Sequence, residues 1–309
     1  MQVKRLFAIA FFFLTLVIFI LLAEPAKTKV IADAEFTETR PIVQQRKTQR
    51  IAQNVNFSAE VNQFAPVKGC VNQPPANPPD PSLPAALTST PISLERFRKP
   101  LPTTKVITYN PKEVIILAAA SNYGDRYFKD LSGKPVNNPP IIVLHESVGS
   151  ANSVINFFQE FHTDEDYQAS YHTLIALEGT IIYFVPPDKR AFGAGDSVFV
   201  SSLGIETVQT NPRYPSSVNN FAYHISLETP EDGMHDGDIH SGYTEAQYQS
   251  LAWLVARTDV PLERITTHRI VDRSGSRIDP RSFNFNLFQK ILSEYPRTKE
   301  ISIVCPSAL

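Results

Sequence analysis

Pro139-Pro140-Ile141-Ile142-Val143-Leu144-His145-Glu146-Ser147 is the stretch on which the fold turns. Two prolines halt whatever precedes them, four aliphatic residues follow without interruption, and a histidine, an acid and a serine close the run. A short continuous apolar segment bounded in this way suits a strand buried on both faces at the centre of a sheet. Its polar end makes His145 the first candidate for chemistry.

Downstream, residues 153–162 set Val154, Phe157, Phe158 and Phe161 on one side of a helix. Residues 171–177 and 180–185 flank Glu178-Gly179, a hairpin signal built on a glycine turn. Residues 222–227 form another strand candidate. Thr244 and Gln247 have capping-box spacing at the start of a helix over 243–255, with Tyr248, Leu251, Ala252 and Val255 as its apolar stripe. Ile265-Thr266 leads into His268, and residues 285–292 make a last helix. Upstream, Val106-Ile107-Thr108-Tyr109 and Val114-Ile115-Ile116-Leu117 read as strands. Strands interleaved with helices predict an α/β domain over residues 105–309, a mixed β-sheet flanked by helices.

Residues 24–104 have a different texture. Nine prolines between 74 and 102 remove donors and fix φ, which predicts an extended, semi-rigid linker. Before it, Lys4 and Arg5 precede an unbroken apolar run from 6 to 23, the pattern of an export signal and close to the ~20 residues that span a bilayer. Residues 1–23 are therefore a signal peptide or an uncleaved membrane anchor, and the rest of the chain is expected outside the plasma membrane, in the periplasm or cell wall. In that compartment Cys70 and Cys305 either pair or stay as two buried thiols. Paired, they close a loop of more than two hundred residues, worth roughly 4–5 kcal/mol in the chain-entropy model. The 309-residue chain has 29 basic and 31 acidic residues, and a net charge of −2 argues against nucleic acid as a partner.

His145 ends a buried strand, His268 ends a short segment, and Asp279 follows eleven residues later. Two imidazoles and a carboxylate suffice for a catalytic zinc with an open fourth position. Seven histidines allow many such triples, so spacing alone does not select this one, and His235 and His240 compete from a polar loop. Neither HExxH nor GxSxG occurs, which disfavours a helix-borne zinc protease and a serine hydrolase.

Several ordered motifs between about 141 and 292 resemble the zinc-dependent N-acetylmuramoyl-L-alanine amidases of the type 2 family, relatives of the peptidoglycan recognition proteins. They are Val143-Leu144-His145-Glu146-Ser147, Ser170-Tyr171-His172-Thr173-Leu174-Ile175 with Glu178-Gly179-Thr180, residues 185–195, Tyr243-Thr244-Glu245-Ala246-Gln247-Tyr248, Ile265-Thr266-Thr267-His268 and Arg277-Ile278-Asp279-Pro280. The resemblance implies a mixed sheet with zinc at one edge, and hydrolysis of the amide between the lactyl group of N-acetylmuramic acid and L-alanine in peptidoglycan. Carried across, it makes His145, His268 and Asp279 the zinc ligands. Arg277 stands where relatives often hold Lys and would supply positive charge, and Tyr171 matches a tyrosine that assists catalysis. Relatives place a general base where this chain has Ser226, which leaves Glu228, two residues on, or Glu146 as the candidate, with a solvated strand-end acid as the alternative for Glu228. Further departures are Phe192-Gly193 where Trp-His is frequent and Arg281 where Gly commonly follows Pro. His224 either faces the groove or covers the sheet, and Lys189-Arg190 reads as a solvated pair. The competing functional expectation is a peptidoglycan-binding module with weak or no turnover; a zinc peptidase acting within the stem is a third.

Overall fold

In the computed structural model, which describes residues 69–77, 92–101 and 109–303, the Pro139–Ser147 stretch is a central strand. The six-stranded sheet contains β1 (Glu113–Ile115), β3 (Ile141–Glu146), β4 (Thr173–Ile175), β5 (Ile181–Tyr183), β9 (Ala222–Leu227) and β10 (Ile265–Thr267). Their spatial order is β1-β5-β4-β9-β3-β10. Only β4 and β5 run antiparallel, as their hairpin requires; the other neighbours are parallel, so the sheet is mixed. Every residue of β3 and β9 is buried, which explains why β3 reads as a continuous apolar run without alternation. Between these elements lie β2 (Tyr123–Asp125) paired with β6 (Lys189–Ala191), and a hairpin of β7 (Phe199–Ser201) and β8 (Gly204–Glu206).

Alternation divides the sheet into two chemically different faces. Ile142, Leu144, Tyr223, Ile225 and Leu227 share a cluster with α2 (Glu245–Ala256) and α4 (Phe285–Leu292). α2 starts at the expected capping box, Thr244 with Gln247, and its last seven residues are all buried because α4 packs over it. On the other face, α1 (Ala151–Gln159) seats Val154, Ile155 and Phe158 against Leu174, Ile182 and Phe184. Each such side chain contributes about 1.5–3 kcal/mol of burial. Ser150 caps α1 by accepting from the Ser153 N–H, so the helix begins earlier than its apolar stripe suggests.

The folded unit extends further upstream than the predicted boundary at 105. Phe97 is 1% exposed and lies in the α2 cluster, its ring 4.9 Å from that of Tyr183. Arg98 makes a two-pronged contact with Glu113, at 2.8 and 2.6 Å. Val71 bridges to Tyr127, and the Gly69 N–H donates to Asp188 at 3.0 Å. Proline content predicts extended chain here, but Leu94–Arg96 forms a short 3-10 turn, and Phe97 directly after it is delivered as an aromatic anchor. Lys189 and Arg190 also depart from expectation: Lys189 is buried against Asp125 at 2.6 Å, and Arg190 stacks on Phe192 and Tyr127. Cys70 is disulfide-bonded; Cys305 lies outside the described residues, as do the apolar run 6–23, most of the linker and residues 106–108. Among the described residues no helix is long and apolar enough to cross a membrane.

Candidate active site

β3 delivers His145 to the face shared by Ile141 and Val143, opposite the α2 cluster. β10 pairs with β3 in parallel, the last pair being Thr267 with Leu144, so His268 emerges level with His145 and opens the short helix α3 (His268–Val271). The chain then turns around Asp272, whose carboxylate accepts from Ser274 N–H and Oγ and from the Arg277 N–H. That turn returns Asp279 to α3, where its carbonyl accepts from the Arg269 N–H at 3.0 Å.

The three side chains converge. Asp279 Oδ1 is 3.0 Å from His268 Nδ1, and Oδ2 is 3.2 Å from His145 Nδ1. One ligand atom from each residue lies within 4.8 Å of the others, and all three residues are buried. His145 Nδ1, although near the carboxylate, is not aligned for a hydrogen bond and has no other partner. Burial lowers its imidazole to about 4, against the pull of Asp279, so at neutral pH it presents a lone pair. Burial alone would raise the Asp279 carboxyl, but the contacts from His145 and His268 outweigh it and hold the group well below its ordinary range. Two imidazoles and a carboxylate, gathered with one ring nitrogen left unsatisfied, are a donor set suited to zinc.

Tyr171 stacks on His145 with centroids 4.6 Å apart, and its ring meets Phe158 edge-on. Burial first, then the charge of Asp279, pushes its hydroxyl up, so it stays a proton-bearing donor. Arg277 is exposed, yet its charge is felt at both His145 and Tyr171. On the opposite side of the His145 ring, Nε2 is 2.9 Å from His224 Nδ1.

Residues 135–282 match the family model described as N-acetylmuramoyl-L-alanine amidase. They belong to that family. No curated protein matches the chain. Among solved structures, AmpD from Citrobacter freundii is 21% identical, with 59% of this chain and 96% of that one covered and a TM-score of 0.34. The endolysin amidase LysCS from Clostridium intestinale is 17% identical, covering 60% and 98%, with a TM-score of 0.37. AmpDh3 from Pseudomonas aeruginosa, solved in complex with an anhydromuramic pentapeptide, is 16% identical, covering 62% and 66%, with a TM-score of 0.38.

Of the site residues expected in this amidase domain, the structure gathers His145, His268, Asp279 and Tyr171, while Arg277 is exposed two residues before Asp279. It does not place Glu228 with them. Just past β9, one Glu228 oxygen accepts from the Ala151 N–H at 2.7 Å and the other from the Leu177 N–H at 2.9 Å. Both oxygens are occupied in holding the first turn of α1 to the end of the β4–β5 hairpin. Glu146 faces away from His145, as strand alternation requires, and it is saturated too. Arg281 Nε donates to it at 2.5 Å, while His240 Nε2 and the Tyr243 hydroxyl each lie 3.1 Å away. Arg281 also donates to the carbonyls of Gly233, His235 and Gly237, so it pins the polar loop that carries His235 and His240. That loop therefore supplies neither competing ligand: His240 is spent on Glu146, and His235 Nδ1 accepts from the Gly237 N–H.

Proposed function

We propose that the amidase domain is zinc-dependent and hydrolyses the bond between N-acetylmuramic acid and L-alanine in peptidoglycan, outside the plasma membrane. The observation that carries this reading is the buried His145–His268–Asp279 group with His145 Nδ1 unsatisfied. His145 and His268 would hold zinc through ring nitrogens and Asp279 through a carboxylate oxygen. Bound there, zinc supplies Lewis acidity to the scissile carbonyl and to the attacking water. Asp279 remains ionised throughout, so it fixes both imidazoles without taking the reaction's proton. Tyr171, neutral and packed on His145, is placed to donate a hydrogen bond, and Arg277 provides fixed positive charge for the developing oxyanion. The basic pair and apolar run at the N-terminus support export, by a removed signal or a retained anchor, with the wall as the partner.

One observation favours a second reading, a wall-binding module with little turnover. Ser226 stands where relatives carry the base, and the nearest replacement, Glu228, is occupied by two backbone amides. A single experiment separates them. The full chain is incubated with purified peptidoglycan, with and without chelator, and the products are read by mass spectrometry. Free stem peptides beginning at L-alanine, lost with chelator and restored by zinc, are the expected result. Intact muropeptides from protein that still sediments with the wall would establish the binding module.

A further inference from the structure

His224 is fully buried on β9, between β4 and β3, and the mechanism above does not use it. It pairs with Val143 in the parallel register, so its side chain rises on the same face as His145 one step further along β3. Its Nδ1 is 2.9 Å from His145 Nε2. Its own backbone N–H donates to His172 Nδ1 at 2.9 Å, and His172 Nε2 in turn lies 3.1 Å from the Lys189 carbonyl. His172 accepts at Nδ1, and its Nε2 lies between the Lys189 carbonyl and Arg126 Nη2, each at 3.1 Å. If His145 offers its Nδ1 lone pair to a metal, its proton sits on Nε2 and points at His224 Nδ1, which must accept. His224 then bears its proton on Nε2, an atom that is buried and has no partner. The ring thus meets the cost of an unsatisfied donor, about 1–3 kcal/mol for such a group, to keep an acceptor aimed at His145.

A second, independent feature points the same way. A Cβ added to Gly193 would fall 2.5 Å from both Cγ and Nδ1 of His224. Gly193 has no positive φ, so backbone conformation does not demand glycine there; the approach of the His224 ring does. The chain has opened a side-chain position to seat this imidazole against the other.

We propose that His224 is a positioning residue for the metal centre: as acceptor to His145 Nε2–H it selects the tautomer and ring orientation that turn Nδ1 toward Asp279 and His268. The role rests on the zinc reading above. It is the place a carboxylate or backbone carbonyl usually takes behind a metal-ligating histidine, and loss of such a partner costs about 10–100-fold in metal affinity.

The test is binding, not turnover. The full chain is stripped of metal and titrated with zinc against a chromophoric chelator, then loaded with cobalt for its ligand-field absorption. His224→Ala is expected to weaken zinc about 10–100-fold and to shift the cobalt bands. His224→Asn, whose Oδ1 stands where Nδ1 stood, should stay within a few-fold of the parent. Gly193→Ala displaces the ring with His224 still present, so it should reproduce the loss. Added to His224→Ala, it should cost nothing more, because its methyl enters the vacated space. If His224→Ala fails to fold, Gly193→Ala and His224→Asn decide the matter. Unchanged affinity and unchanged cobalt bands in folded His224→Ala or Gly193→Ala would overturn the role while leaving the zinc reading standing. A parent chain that takes up no zinc at all would overturn both.

Discussion

His145 and Glu146 are neighbours on β3, both are buried, and both are polar, yet they leave different things undone. His145 has a ring nitrogen with no hydrogen-bond partner beside a carboxylate and a second imidazole. Glu146, on the other face, has two oxygens covered by a guanidinium, an imidazole and a phenol. Buried polar groups are normally satisfied, so an unsatisfied one grouped with a carboxylate and a second imidazole points to a ligand. Saturation marks the opposite: a group whose valences are spent inside the protein acts on shape. Glu228 falls on the saturated side of that division although sequence reasoning placed it with the chemistry.

The comparison breaks most visibly at Asp279. Asp279→Ala or His145→Ala should abolish zinc uptake and reduce turnover by several orders of magnitude, while far-ultraviolet dichroism stays close to the parent's. Zinc per chain by elemental analysis and muropeptide release are the two readouts. A variant with full zinc and full turnover would remove the ligand assignment. Arg281→Ala probes the other face and should do the reverse. It leaves the Glu146 carboxylate buried with His240, Tyr243 and the backbone N–H of residue 281 but no guanidinium, and frees three loop carbonyls. Breaking a buried pair in this way costs about 3–5 kcal/mol, read as a lower urea midpoint, with zinc stoichiometry kept at the parent value.

How much of this was legible in advance follows from the range of each interaction. β9 and α4 occupy the residues expected for them, 222–227 and 285–292, and α2 opens at the expected cap, because apolar runs and capping boxes are local signals. The ligand trio needed resemblance, since seven histidines give spacing no way to choose. The contact of His224 with His145 depends on the parallel β3–β9 register, set by strands that are about eighty residues apart. Arg281 meets Glu146 across 135 residues, and nothing in Asp279-Pro280-Arg281 announces a partner. Phe97 was hidden by its prolines: a lone aromatic after a single 3-10 turn has no periodicity to betray its burial.

Glu228 sharpens the division at smaller amplitude. Glu228→Gln keeps one acceptor but turns the other oxygen into a donor facing an N–H, either at Ala151 or at Leu177. The expected cost is about 1–3 kcal/mol of stability, with turnover of the zinc-loaded protein falling less than about tenfold. A drop of several orders of magnitude at unchanged stability would instead identify Glu228 as the base and move it to the open side.

The smallest effect concerns protons in the metal-free protein. Burial, and for His172 the adjacent Arg126 next, hold His172 and His224 well below their ordinary value, while His145 is lowered to about 4. These imidazoles stay neutral in the fold when the unfolded chain has begun to take up protons near pH 6.5. Between the two values the unfolded state therefore binds more protons, and stability falls as pH drops through that window. For His145 the loss starts near 6.5 and ends near 4; for the other two it continues lower. Each contributes up to about 1.4 kcal/mol per pH unit inside its window. Urea midpoints of the metal-free chain should decline from pH 7 to pH 5 and be flat above 7. Zinc should raise the midpoint across that range without flattening the decline through His145, because the folded imidazole is already neutral there and the unfolded chain still takes up its proton. If zinc leaves the midpoint at pH 7.5 where it was, the open valence at His145 is not where it binds.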